Sequence, residues 1–323
     1  MTPPVIKAMS DIAVRLTVSP APHWRSGRTV RKMMQAHLLA LVPAALMSVY
    51  MFGFPALTTM ALAGAAAVLT EVLCLKLQER DVDVDNFSAL YVGLLFAFLL
   101  PATAPWWLAV IGAAIAIVFG RTVFGGFGCN PIGAPLVAWA LCRMSWPSAM
   151  DIDMNLAHFA MNEPLYQLKH FGLQSLSQFD YKELFLGRQL GGLGASQVAG
   201  LLVGGVYLLA AKWIRWYIPA AFLLGVVAAS SIFWTIDSTV YANPLFHLLT
   251  GSTMLGAFFL ATDTSSSPVG KLPQLLFGLI AGVMVVVIRV YGMYPDGVPF
   301  AIMVASLLSP LLDRVRPKPF GGR

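Results

Sequence analysis

The sequence predicts an all-α integral membrane protein with about ten transmembrane helices in two inverted five-helix repeats. Of its 323 residues, 58% are hydrophobic and only 11% are charged, whereas soluble domains carry about 25% charged residues. Apolar segments recur along the chain, and motifs from its first half return in its second. The composition is that of a membrane protein, so we expect no nucleic-acid partner, and the net charge of +6 bears on membrane orientation.

The apolar segments define the spans. A helix needs about 20 apolar residues to cross a bilayer. Ten segments meet or approach this length, and they are 33–53, 54–75, 87–101, 106–120, 131–147, 195–212, 217–234, 244–262, 273–291 and 298–312. The third segment is short and the fifth is rich in glycine, so a count that differs by one stays open.

The basic residues predict the orientation. If the N-terminal arm is cytoplasmic, 16 of the 21 lysine and arginine residues fall on the cytoplasmic side, as the positive-inside rule requires. Both termini are then cytoplasmic, and the long hydrophilic loop lies outside. We therefore divide the chain into an arm, a first membrane repeat, an outer loop, a second membrane repeat and a tail, which cover 1–32, 33–147, 148–194, 195–313 and 314–323.

Two pairs of similar segments indicate the repeat. Residues 88–96 resemble 251–259, and residues 124–127 resemble 291–294. Nearly the same number of residues separates the members of each pair, which argues against convergent use of glycine and aromatic residues. Because each half holds five spans, the halves must run in opposite directions. Inverted repeats of this kind place functional sites near the membrane midplane, between the halves.

The polar end of segment 250–268 is the first candidate site. An apolar, glycine-marked stretch runs directly into Thr262 and Asp263. A carboxylate beside hydrocarbon is costly, so it indicates a functional site. Capping of the next helix from water is the alternative, and it carries equal weight. Glu71 is a second acid within a predicted span, and pairing with a nearby basic group explains it better than ion transport.

Helix-breaking residues follow the repeated segments in both halves. Thr103 lies between two prolines in the first half, and the glycine-rich turn 125–131 contains Asn130. Broken helices expose backbone groups that can line an ion path or hold a cofactor. We hypothesise that Thr103 faces the Thr262–Asp263 pair near the midplane. The candidate ligands of a non-covalent flavin or an ion path are Asn86, Asn130, Thr262 and Asp263.

Other chemistry finds little support in the sequence. The three cysteines have no zinc-type spacing, and the two histidines of the outer loop lack tight ligand spacing. The chain also has no phosphate-binding loop, dinucleotide fingerprint or nucleophile triad. We therefore expect neither a metal site nor catalytic residues that act alone.

Five motifs carry a family resemblance, and they lie at 85–90, 105–107, 124–131, 250–263 and 294–298. In this order they resemble the D subunit of the Rnf complex, also called Rsx, the ion-translocating ferredoxin:NAD oxidoreductase of bacterial membranes. A more distant resemblance is to the B subunit of the sodium-translocating NADH:quinone reductase. The match extends from about residue 25 to the C-terminus.

The resemblance implies a multi-pass subunit of a translocase in the bacterial inner membrane, rather than a complete enzyme. Such a subunit takes part in electron transport between ferredoxin and NAD and couples it to sodium or proton movement. Its partners would be flavin- and iron–sulfur-bearing subunits, which contact ferredoxin and NAD. A stand-alone solute channel or transporter with the same inverted repeat is the alternative, because topology alone does not distinguish the two.

The family's covalent flavin has no acceptor here. Relatives carry FMN on the threonine of a Ser-x-Ala-Thr-Pro-Leu motif in the outer loop, and the matching residues are 160–165. The threonine position is Glu163, and no threonine occurs between Thr122 and Thr235. We therefore expect the chain to lack covalent FMN, and a non-covalent flavin, riboflavin or FMN, remains open.

Overall fold

The computed structural model describes residues 27–80, 85–101, 104–151 and 163–315, and their regular structure is helical. The first half contains α1 (Val30–Phe52), α2 (Phe54–Leu77), α3 (Ser88–Leu99), α4 (Trp106–Val118) and α5 (Ala134–Ser145). The outer loop contains α6 (Pro164–Phe171) and α7 (Tyr181–Phe185). The second half contains α8 (Val198–Ala210), α9 (Tyr217–Ile236), α10 (Pro244–Leu249), α11 (Thr253–Leu255), α12 (Lys271–Tyr291) and α13 (Val298–Leu312).

These helices confirm the prediction of an all-α membrane protein. Each of the ten predicted spans contains helix. Among the described residues, five helical segments are long and apolar enough to cross a bilayer, namely α1, α2, α4 with its extension to Phe124, α9 and α12. Helix α3 ends at Leu99 and Leu100 is extended, because a residue that precedes a proline disfavours helical geometry.

The predicted eighth span is broken rather than continuous. Helix α10 ends at Leu249, and the chain turns through Gly251 before α11 begins at Thr253. A π-helical turn, Gly256–Leu260, then carries the chain to Asp263. Such wide turns occur mostly as single turns and are frequent at functional sites.

The helix packing repeats between the halves. Helix α2 packs on α3 and α4 as α9 packs on α10 and α12, and α4 packs on α5 as α12 packs on α13. Two further contacts join equivalent helices of opposite halves: α1 with α8, and α5 with α13. This arrangement is what the paired sequence motifs predicted for a molecule built from two similar five-helix units.

Glycine permits the closest of these contacts. A Cβ atom at Gly204 of α8 would lie 1.9 Å from the carbonyl oxygen of Ala40 in α1, and one at Gly282 of α12 would lie 2.2 Å from that of Phe222 in α9. Small residues let helix backbones approach closely in a membrane, where packing rather than hydrophobicity drives association.

Replacing Gly204 by alanine is expected to disturb the contact between α1 and α8, because the added Cβ has no room. Overpacking of a well-packed interior costs about 1–3 kcal/mol, so the detergent-solubilised variant should unfold at a lower temperature. Val203→Ala is the matched control, since the neighbouring side chain is 57% exposed, and its unfolding midpoint should stay near that of the parent. Equal midpoints for the two variants would contradict this contact.

Candidate functional site

A buried arginine holds the start of a broken helix in each half. Arg289, in the last turn of α12, donates to the carbonyl oxygens of His247 at 2.7 Å and Thr250 at 3.0 Å. It also donates to Thr253 Oγ1 at 2.8 Å and pairs with Asp296 Oδ1 at 3.3 Å. These four acceptors surround the turn between α10 and α11, so the guanidinium fixes this break in the eighth span.

Arg121 holds the equivalent position beside α3. Its Nη2 donates to Ser88 Oγ at 2.7 Å, and its Nη1 lies 3.3 Å from Glu71 Oε1. The Arg121 side chain is 4% exposed and that of Glu71 is 13% exposed, so the pair is largely removed from water. The expectation that Glu71 pairs with a basic group is confirmed.

The starts of α3 and α11 share the same backbone conformation. Phe87 and Gly251 have φ values of 57° and 64°, and a serine follows each. The Ser88 N–H donates to Asn86 Oδ1 at 2.9 Å, and the Ser252 N–H donates to Asp296 Oδ2 at 2.9 Å. A side-chain oxygen therefore satisfies a backbone donor at each half-helix start, as an N-cap residue does.

Sequence reasoning missed these two arginines as site residues. Both entered only the count of lysine and arginine residues that predicts the orientation: Arg121 is one of the 16 on the cytoplasmic side, and Arg289 is one of the five that are not. The available signal was an arginine shortly before Phe124 and Tyr291, the aromatic residues that begin the repeated glycine-containing turns.

Asp263 and Asn130 lie in direct contact. Asn130 Nδ2 donates to Asp263 Oδ2 at 3.2 Å and to the carbonyl oxygen of Ile132 at 3.0 Å. The hydroxyl groups of Ser265 and Ser266 donate to the same carboxylate oxygen at 2.8 and 3.2 Å. The sequence suggested both residues separately, and the structure joins them across the interface between the halves.

A cavity of about 710 Å³, including its mouth, opens beside this contact. Its lining combines Asp263, Asn130 and Arg121 with the aromatic rings of Tyr91 and Phe127. The Phe127 ring centroid lies 4.9 Å from the Arg121 guanidinium. The walls offer a carboxylate, an amide, a guanidinium and apolar rings to a ligand.

Two further cavities adjoin the first. One, of about 650 Å³, shares Thr264 with it and is lined by Thr262. The other, of about 790 Å³, shares Arg121 and Phe127 with it and is lined by Asn86. The four candidate residues of the sequence therefore line three neighbouring cavities, and only Asn130 and Asp263 bond to each other.

The remaining candidates have structural partners. Thr262 Oγ1 donates to the carbonyl oxygen of Phe258 at 2.7 Å, and Phe258 lies in the π-helical turn. Asn86 Oδ1 accepts from both the backbone and the hydroxyl of Ser88. Thr103 lies outside the described residues, so its approach to Asp263 stays a prediction.

On the opposite side of the repeat, the outer loop packs over Arg289. Glu163, only 9% exposed, is the N-cap residue that precedes α6. Its carboxylate lies close enough to Arg289 for a favourable electrostatic interaction. Lys169, farther along α6, donates to the carbonyl oxygens of Gly292 and Tyr294. Burial lowers the pKa of Lys169. These contacts place the Glu163 carboxylate next to a buried cation.

The sequence matches one protein-family model over residues 17–321, nearly the whole chain. The chain belongs to the NQR2, RnfD and RnfE family. The family resemblance noted from five motifs is thereby confirmed. The cavity beside Asp263 and the outer loop are therefore features of a member of this family.

Named relatives agree over nearly their full lengths. The chain is 35% identical to the D subunit of the Na(+)-translocating ferredoxin:NAD(+) oxidoreductase complex of Acetobacterium woodii, over 93% of each chain. It is 32% identical to the D subunit of the ion-translocating oxidoreductase complex of Yersinia pseudotuberculosis, over 95% of this chain and 98% of the relative. The Pectobacterium carotovorum protein of that name is 33% identical, over 97% and 100%.

The covalent flavin implied by the family does not fit residue 163. A carboxylate cannot provide the hydroxyl oxygen of a phosphodiester link, and Glu163 brings a negative charge to the place where a flavin phosphate would sit. Its neighbour Arg289 already interacts with this carboxylate and with Asp296. The outer loop therefore satisfies its buried cation with protein groups.

Replacing Arg289 by glutamine should destabilise the protein far more than Arg188→Gln. The two ion pairs have similar lengths, 3.3 Å to Asp296 and 3.4 Å to Glu183. The Arg289 side chain is 2% exposed and that of Arg188 is 57% exposed. Breaking a buried pair costs about 3–5 kcal/mol, whereas an exposed pair contributes about 0–1 kcal/mol.

Thermal unfolding in detergent measures the difference between the two arginine variants. A large fall in the unfolding midpoint for Arg289→Gln, with little change for Arg188→Gln, is the expected result. Similar midpoints for both would mean that the Arg289 contacts do not stabilise the break between α10 and α11.

Proposed function

We propose that this chain is the D-type membrane subunit of a complex that transfers electrons between ferredoxin and NAD and couples this transfer to sodium or proton movement. The observation that carries the proposal is the contact between Asn130 and Asp263, at a cavity between the two halves. Full-length similarity to named components of such complexes supports it. The chain lies in the bacterial inner membrane, with both termini in the cytoplasm.

Asp263 is the group that meets the transported cation. Hard cations prefer carboxylate, hydroxyl and carbonyl oxygens, and Asp263 provides a carboxylate among the hydroxyls of Ser265 and Ser266. Arg121 lines the same cavity and its positive charge weakens cation binding there. Translocation requires such a balance, because an ion must bind strongly enough to enter and weakly enough to leave.

The same cavity is the place for a non-covalent flavin, riboflavin or FMN. Tyr91 and Phe127 offer apolar ring faces, and Arg121 offers donors for the ring carbonyls. When bound, a flavin would supply one-electron transfer. Partner subunits with flavin and iron–sulfur groups would contact ferredoxin and NAD, and the residues of this chain bind and orient rather than react.

A stand-alone transporter would share the ten-span inverted repeat. Similarity to components of such complexes over 93% or more of each relative supports the subunit role instead. The two roles differ in a measurable way, because only the stand-alone transporter would move a solute when this chain alone is placed in liposomes.

Replacing Asp263 by asparagine should abolish most redox-driven ion uptake by the reconstituted complex while the complex still assembles. Asparagine keeps an oxygen acceptor for Asn130 and Ser265 but removes the charge. A charge-assisted contact contributes about 1.5–3 kcal/mol, so ion binding should weaken about tenfold to a hundredfold. Ion uptake per electron transferred is the quantity to measure in liposomes.

Asp237→Asn is the control for the charge change. Asp237 lies in the turn after α9, where it accepts hydrogen bonds from Thr239, away from the cavity. This variant should transport ions like the parent. Unchanged uptake per electron in Asp263→Asn would remove Asp263 from the ion path.

The purified chain should have the intact mass of its polypeptide and show no flavin fluorescence in a denaturing gel. The reason is that Glu163 replaces the threonine that would carry the flavin phosphate. Mass spectrometry of the denatured chain measures this directly. A mass increased by one FMN would contradict the assignment of Glu163 to the threonine position, and peptide mapping would then identify the attachment residue.

A further inference from the structure

An open groove of about 1130 Å³ lies where α8, α9 and α12 meet at one end of the bundle. Three cationic side chains line it, Lys212, Arg215 and Lys271. Its remaining lining is apolar or aromatic and includes Trp216 and Tyr217. The groove shares Ile214 and Arg215 with the cavity lined by Thr262, and it shares no lining residue with the Asp263 cavity.

Within the described part of the chain, no acidic side chain balances the charge of the groove. The described residues that line it include no acidic side chain. Among the described ion pairs, none involves Lys212, Arg215 or Lys271. Arg215 Nη1 donates to the carbonyl oxygen of Val269 at 3.3 Å, which holds the guanidinium at the groove. Three exposed cations in one groove give it a positive potential that attracts anions.

The backbone at Lys212 adopts a conformation that is uncommon for a residue other than glycine. Lys212 follows the end of α8 with φ of 56°, in the left-handed region where glycine usually ends a helix. Its carbonyl oxygen accepts from Arg28 Nη1 at 3.0 Å, and the Arg28 guanidinium lies 5.1 Å from the Trp213 ring centroid. Lysine therefore occupies a left-handed position that glycine would adopt without strain.

The groove has the physical character of a membrane interface. Trp216 is 58% exposed, and its ring centroid lies 4.5 Å from that of Tyr217. Tryptophan and tyrosine favour the headgroup level of a bilayer. Exposed apolar side chains continue along the adjoining helices, with Val206 on α8 and Leu224 on α9. A ligand that suits this surface carries an anionic head and apolar chains.

We propose that the groove binds an anionic phospholipid. Its phosphate lies among Lys212, Arg215 and Lys271, and its acyl chains run along the apolar faces of α8 and α9. Basic pockets between transmembrane helices on the cytoplasmic side bind anionic headgroups in this way. Lys212 and Arg215 lie between α8 and α9, and Lys271 begins α12. All three belong to the side predicted to be cytoplasmic, where anionic lipids attract basic segments.

The test uses the full chain in nanodiscs that contain phosphatidylglycerol and phosphatidylcholine. Native mass spectrometry after release counts the lipids that each protein molecule retains. The parent should retain phosphatidylglycerol in preference to phosphatidylcholine. The triple variant Lys212→Gln, Arg215→Gln and Lys271→Gln should lose about tenfold or more of this retention, since each basic residue contributes to lipid attraction.

A matched triple variant controls for total charge. Arg31→Gln, Lys32→Gln and Lys76→Gln remove three cations from the same predicted side, outside the groove. This variant should retain phosphatidylglycerol like the parent. Equal losses in the two triple variants, or equal retention of both lipids by the parent, would overturn the proposal.

Lys212→Gly separates lipid binding from folding. Glycine accommodates the left-handed backbone, so this variant should unfold at the same or a higher temperature than the parent while it retains less phosphatidylglycerol. Unchanged lipid retention in both Lys212→Gly and the groove triple variant, together with loss of partner subunits from the purified complex, would assign the groove to a subunit interface instead.

Discussion

A charged guanidinium buried inside a membrane protein must have enough acceptors, and this requirement shapes both halves of the molecule. Arg289 has four acceptors around the break between α10 and α11, and Arg121 has Ser88 and the Glu71 carboxylate. Arg289 Nε and Arg121 Nη1 are buried without a hydrogen-bond partner among the described residues. In each half the arginine ties a long helix to the start of a short one. The irregular backbone needed for a site within the membrane is thereby stabilised by protein groups, as it must be where water is absent.

Both halves hold the start of a helix with a buried arginine, but the surroundings of the two arginines differ. Around Arg289, the outer loop closes the surface with Glu163 and Lys169, which satisfies cations and carbonyl groups with protein partners. Around Arg121, cavities remain on two sides, and one of them reaches Asp263. The fold repeats, but the chemistry available to a ligand does not. This asymmetry leaves the Arg121 side open to a ligand and the Arg289 side closed by the outer loop.

Much of the fold could be predicted from the sequence, because hydrophobic segments and paired motifs depend on local composition. The sequence also indicated Asp263, since an acid at the end of an apolar segment stands out. It did not indicate the contact with Asn130, which joins residues far apart in the chain and depends on how the halves pack. The contacts of Arg121 and Arg289 were missed as well, because an arginine near a span end has the same sequence signature whether it faces water or a buried acceptor.

The contact between Asn130 and Asp263 has a mechanical consequence. Its two side chains belong to different halves, and their hydrogen bond is 3.2 Å long, so a relative shift of about 1 Å would break it, given the steep distance dependence of such bonds. The carboxylate would then have one donor fewer and would attract a cation more strongly. Any partner that displaces one half against the other would thus change the electrostatic environment of Asp263 from a distance, so the interface between the repeats can transmit mechanical work.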